Sequence, residues 1–193
     1  MTWLVAGLGN PGPRYAQTRH NLGYRVVDEL AERSGERFRK ARFVPADVAE
    51  LREGGERILL AKARDFMNVT GPAFASLARK HRVEPDRVIA VHDEIDLVFG
   101  ALRVKFGGST AGHNGLRSIE RALHTPDFYR VRLGVGRPTG RKEPGDWVLE
   151  NFAKREEPEV EILVADGADA TLSLVRDGLQ ATQDRFNRSA PKE

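Results

Sequence analysis

Trp3-Leu4-Val5-Ala6-Gly7-Leu8-Gly9-Asn10-Pro11-Gly12 opens the chain, and Tyr15-Ala16-Gln17-Thr18-Arg19-His20-Asn21 follows closely. The apolar run reads as a buried strand that Gly and Pro bring to a stop. Polar side chains come next: Asn10, His20 and Asn21. An open α/β sheet builds its site in this way, because ligands sit outside the carboxyl ends of its strands. The pattern recurs. Ile58-Leu59-Leu60-Ala61 leads to Asn68, Val88-Ile89-Ala90-Val91 leads to Asp93, and Leu102-Arg103-Val104 leads to His113-Asn114. One histidine, one acid and three amides are expected to converge in one cleft.

Working outward, Asn21 to Arg33 reads as an amphipathic helix, with Leu22, Val26 and Leu30 at four-residue spacing. Residues 43–51 and 57–63 read as a hairpin turning at Glu53-Gly54-Gly55-Glu56. Gly71 to Lys80 reads as a helix with Pro72 in its first turn, where a missing N–H costs little. Strands are expected at 87–91, 101–106 and 128–135, and a helix at 116–123. Residues 137–146, rich in Pro, Gly and charge, are expected to form a mobile loop. Glu156 to Asn187 reads as helix with breaks near Gly167 and Gly178. Strands alternating with helices predict an α/β fold: one domain with a central mixed, mostly parallel twisted sheet flanked by helices on both faces. That domain is expected at 1–187, with 188–193 a frayed C-terminal tail.

A chain of 193 residues is long enough to bury a core without staples. The absence of cysteine rules out disulfides, thiolate metal sites and cysteine nucleophiles. No apolar run approaches the roughly 18 residues of a membrane span, and no leader is apparent before Trp3, so no membrane partner and a cytoplasmic location are expected. A net charge of +3 is mild, so a polyanionic partner would need a local basic patch.

Several motifs have competing readings. Gly7-Leu8-Gly9-Asn10-Pro11-Gly12 matches the dinucleotide fingerprint, which would make the chain a nicotinamide-dependent oxidoreductase. Pro11 and Pro13, however, remove amides that would face a pyrophosphate, and the acid expected at the end of a second strand is missing. The Gly107–Gly112 stretch lacks the Gly-Lys-Ser/Thr of a nucleotide loop and reads either as a flexible turn or as a phosphate cradle. Of five histidines, His81 and His124 sit near helix ends and read as structural, while His92 alternates with Asp93 along a strand. His113 is ambiguous. His20 is the best-placed base. Asp93 reads either as a turn residue or as the acid that orients His20 and fixes its tautomer. No metal-ligand spacing is present, and no G-x-S-x-G supports a serine nucleophile. Arg103 and Lys105 share one strand face, as do Arg130 and Arg132, and neighbouring strands would gather four cations as a phosphate clamp.

These blocks together resemble the bacterial peptidyl-tRNA hydrolases. The matching segments are Gly7-Leu8-Gly9-Asn10-Pro11-Gly12, Tyr15-x-x-Thr18-Arg19-His20-Asn21-x-Gly23, Phe66-Met67-Asn68-x-Thr70-Gly71, His92-Asp93-Glu94-x-Asp96-Leu97, Gly112-His113-Asn114-Gly115-Leu116 and Arg130-x-Arg132-x-Gly134-x-Gly136. The chain departs from the family pattern at Ala63, Asp65 and Thr70, and at Ser118, where an acid or Asn is usual.

The resemblance implies a monomeric enzyme that hydrolyses the ester joining a peptide to the 3′ ribose of tRNA, without metal or cofactor. It implies His20 as general base, Asp93 as its stabiliser, and Asn10 as the residue that tells N-blocked from free aminoacyl groups. Tyr15, Phe66, Asn68 and Asn114 would contact the peptide and the 3′ adenosine. Lys105, Arg132 and His113 are expected on the tRNA side of the site. A non-catalytic RNA-binding protein on the same fold is the alternative that intact His20, Asp93, Asn10 and Asn68 argue against.

Overall fold

The opening apolar run forms β1 (Thr2–Gly7), the centre of a seven-stranded sheet. The computed structural model describes residues 1–187; the tail expected at 188–193 lies outside them. Parallel partners flank β1 on both sides: β4 (Glu56–Ala63) and β5 (Val88–Glu94). Beyond β5 lies β7 (Tyr129–Gly134), also parallel. Every residue of β5 is buried, as expected of a strand covered on both faces. The outer pairs are antiparallel. β3 (Ala46–Glu53) joins β4, the short β2 (Arg39–Lys40) joins β3, and β6 (Leu102–Phe106) joins β7. The sheet order is β2-β3-β4-β1-β5-β7-β6. The sheet is therefore mixed, with its parallel part in the middle. The β3–β4 turn holds Gly54 and Gly55 at φ 56° and 82°, the paired left-handed geometry of a two-residue hairpin.

Two cores lie on opposite faces of the sheet. On one, α1 (Leu22–Arg33) and α5 (Glu157–Asp177) cover Val5, Ile89, Val91, Val131 and Leu133. On the other, α2 (Gly71–His81) and α3 (Asn114–Leu123) cover Leu4, Ala6, Val88 and Ala90. Leu22, Val26 and Leu30 are buried, as their spacing predicts. Gly23 lets α1 press against the sheet: a Cβ there would lie 2.2 Å from the Val91 carbonyl oxygen. At Ser118, the hydroxyl accepts from the Gly71 N–H at 2.8 Å, an acceptor that an acid or Asn would also supply. The free edge of β6 is covered too. Asn187 Oδ1 accepts from Val104 N–H, and amides of Gln183 and Asn187 donate to the Val104 carbonyl.

Two expectations are corrected. Gly167 does not break a helix; α5 runs unbroken to Asp177 because Gly167 packs closely on Leu133 and Val26, and the break falls at Gly178, before α6 (Leu179–Phe186). The 137–146 stretch is not all loop, since Pro144 starts a short helix, α4 (Pro144–Val148). The glycine-rich opening also lacks what the disfavoured dinucleotide reading needs, because it does not run directly into a helix. Single helical turns at Pro13–Tyr15 and Arg19–Asn21 intervene before α1, so no helix N-terminus is there to hold a pyrophosphate.

Candidate active site

The carboxyl ends of β1, β4 and β5 point the same way and carry the site. Asn10 follows β1, Phe66, Met67 and Asn68 follow β4, and Asp93 is the penultimate residue of β5. His20 sits on the helical turn that leads into α1. His113 and Asn114 come from the start of α3, and Gly145, Val148 and Leu149 come from α4 and its end.

Asp93 is 2% exposed and holds two imidazoles. His20 Nδ1 lies 3.0 and 2.9 Å from its two carboxylate oxygens. His113 Nε2 lies 2.8 Å from Oδ1. The carboxylate accepts, so His20 carries its proton on Nδ1 and keeps Nε2 for other work. Burial opposes protonation of His20, but the charge of Asp93 and the hydrogen bond to it prevail and raise the His20 pKa above its ordinary value. Burial acts to raise the Asp93 pKa, yet the two imidazoles hold it far below the usual carboxylate range.

The tautomer of His113 is set by its own helix. Its Nδ1 accepts from the N–H groups of Gly115 and Leu116 at 3.1 and 3.4 Å, so the proton must sit on Nε2, facing Asp93. Two consequences follow. Two of the α3 amides that could have faced a phosphate, those of Gly115 and Leu116, are taken by the His113 ring. And although donor atoms of His20, Asp93 and His113 lie within 4.8 Å of one another, His113 has no lone pair to offer a metal there. His92 stands next to this group, its ring 5.0 Å from that of His113. Its Nδ1 donates to the Asp93 carbonyl at 2.8 Å, and burial pushes its pKa well down, so it is neutral.

His20 faces two adjoining spaces. One, of about 350 Å³, is lined by Asn10, Phe66, Met67, Asn68, Asn114, Val148 and Leu149. Tyr15 packs edge-on against Phe66 at its rim, with ring centres 6.0 Å apart. The other, of about 110 Å³, is lined by Asp93, Glu94, Ile95, His113 and Val148 among others. Lys105 and Arg132 line neither space. Arg132 reaches the second through Glu94, whose carboxylate accepts from it at 3.1 and 2.9 Å, whereas Lys105 Nζ donates to the Ser109 carbonyl at 3.4 Å. The four expected cations do meet, since Arg103 pairs with Arg132 and Lys105 with Arg130 across β6–β7. Arg130, however, is fully buried. It donates to the carbonyls of Ser109 and Pro126 and so braces the glycine-rich loop instead of facing outward.

The sequence gives Arg19 and Glu94 no place in the site, and it names Asn21 only as a polar side chain that follows β1. Arg19 is 4% exposed, and its guanidinium lies 3.5 Å from the Trp147 ring centre. It also donates to the carbonyls of Trp147, Glu150 and Asn151, fastening the α4 segment beside the base. The motif Arg19-His20-Asn21 was the available signal for Arg19 and Asn21, but nothing in it says that a cation is buried.

Comparison with known proteins agrees with this arrangement. The sequence profile of the peptidyl-tRNA hydrolases matches residues 4–193. The peptidyl-tRNA hydrolase of Mycobacteroides abscessus is 53% identical over 95% of this chain and 94% of its own, and that of Frankia alni is 51% identical over 96% and 93%. The crystal structure of the Acinetobacter baumannii peptidyl-tRNA hydrolase superposes with a TM-score of 0.90 at 29% identity, covering 99% of this chain and 97% of that one. With the match running through every strand that carries the site, the chain belongs to the peptidyl-tRNA hydrolase family.

Proposed function

We propose that this protein hydrolyses the ester between an N-blocked peptide and the 3′ ribose of tRNA, with residues 1–187 as the hydrolase domain, His20 as general base and Asp93 as its partner. The observation that supports this most is the pair of Asp93 oxygens on His20 Nδ1, which leaves Nε2 over a cleft lined by three side-chain amides. A water held at Nε2 loses its proton to the ring as its oxygen attacks the ester carbonyl. Asp93 stabilises the imidazolium that forms. As the bond between the acyl carbon and the 3′ oxygen breaks, that imidazolium gives its proton to the departing oxygen, which leaves as the 3′ hydroxyl. Amide N–H groups of Asn10, Asn68 or Asn114 are suited to hold the negative charge on the carbonyl oxygen and the carbonyls of the peptide.

Asn10 has a defined role in this reading. Its Oδ1 accepts from the Met67 N–H at 2.7 Å, so its Nδ2 is the end presented to the cleft. An N–H donor suits the carbonyl of a blocked amino group and repels a free ammonium. Phe66, Tyr15 and Leu149 offer apolar surface to peptide or adenine. Lys105 and Arg132 are proposed to meet tRNA phosphates. No helix among the described residues is long and apolar enough to cross a membrane, and a monomer acting in the cytoplasm accords with the proposal. The direct experiment is release of N-acetyl-aminoacyl groups from tRNA by purified protein. Turnover that survives in His20→Ala would overturn the proposed base.

A further inference from the structure

We propose that Asn21 is a positioning residue for substrate selectivity: its carboxamide holds the Asn10 main chain so that the Asn10 amide donor faces the substrate. This rests on the proposed role of Asn10. Asn21 Oδ1 accepts from the Asn10 N–H at 2.9 Å, and Asn21 Nδ2 donates to the Asn10 carbonyl at 2.9 Å. One side chain thus pairs with one residue in both directions, as a neighbouring strand would. The Thr18 hydroxyl lies 3.5 Å from the same Oδ1. Asn10 is thereby gripped at both ends, its main chain by Asn21 and its side-chain oxygen by the Met67 N–H.

Two further observations set Asn21 apart from an ordinary buried amide. It closes the helical turn that leads into α1, and its side chain makes no bond to the first amides of that helix, so both of its polar atoms serve the Asn10 main chain. The approach is also cleared for it: a Cβ at Gly9 would lie 3.0 Å from Asn21 Cγ. Because Asn21 follows His20 directly, one helical turn carries both the base and the brace for the peptide reader.

The test is a double-mutant cycle on the ratio of kcat/KM for N-acetyl-aminoacyl-tRNA over the unblocked aminoacyl-tRNA. Asn10→Ala and Asn21→Ala should each lower that preference about tenfold, as loss of one or two hydrogen bonds implies. Together they should lower it little further, because both remove the same aimed donor. The acidic limb of the pH profile should stay in place in Asn21→Ala, since the His20–Asp93 pair is untouched. Asn21→Asp keeps the acceptor for the Asn10 N–H but sets a carboxylate oxygen against the Asn10 carbonyl. It should lose part of the preference, and it replaces Asn21→Ala in the cycle if the latter does not fold. Additive losses, or wild-type preference in both Asn21 variants, would overturn the assignment. Undiminished preference in Asn10→Ala would overturn the role of Asn10 itself, and this assignment with it.

Discussion

Asp93 Oδ1 accepts from His113 Nε2 at 2.8 Å while the same carboxylate holds His20, so the orienting acid is itself oriented. His113 does two jobs with its two nitrogens, capping α3 with one and steadying Asp93 with the other. The two can be separated. His113→Ala should lose the cap, worth about 1 kcal/mol, and lower the melting temperature. His113→Asn keeps a good capping residue and should melt near wild type, yet both variants should lose kcat by a few- to about tenfold. A rise in KM for tRNA with kcat unchanged would instead place His113 in substrate binding.

His20→Ala should lower kcat by about 10²–10⁴, the range for loss of a general base. Asp93→Asn removes the charge that raises the His20 pKa, so the acidic limb of the pH–rate profile should move to lower pH even as the maximum falls. An unmoved limb would show that another group titrates.

Stability and activity should respond to pH in opposite senses. Because the folded His20 pKa lies above its unfolded value of about 6.5, its contribution to stability is complete below that pH and is lost as pH rises through the folded value. Catalysis needs the neutral ring and gains over the same interval. Thermal melting of wild type and His20→Ala across this range should show the wild-type advantage shrinking as pH rises.

Lys105→Ala should raise KM for peptidyl-tRNA, leave a short ester substrate without the acceptor stem unchanged, and flatten the salt slope by about 0.7–0.9. Arg132→Ala should do the same with an added loss of stability, because it strands the buried Glu94 carboxylate. Arg132→Ala combined with Glu94→Gln should recover that stability without recovering KM. Equal losses on both substrates would place these residues in folding or chemistry.

Much of this was written locally. An unbroken apolar run makes β5, four-residue spacing makes α1, and Gly54-Gly55 makes the hairpin turn, because hydrophobic period and backbone freedom are properties of neighbours in sequence. The blocks around Asn10, His20, Phe66 and Asp93 also announced their residues. Their pairings were another matter. The two positions of Arg130 and Arg132 look alike on one strand, but the first is sealed beneath the glycine-rich loop and the second faces Glu94. Gly167 looked like a helix break until packing on Leu133 and Val26 gave its missing side chain a use. Asn21 looked like the first residue of a helix, and its side chain holds Asn10. Sequence by itself determined the central strands and the helices α1, α2 and α3, and that a base, an acid and amides follow the strands. The order of the sheet decided which of them meet. A polar side chain's partner depends on strand register and on the close approach of segments distant along the chain, and no local pattern encodes either.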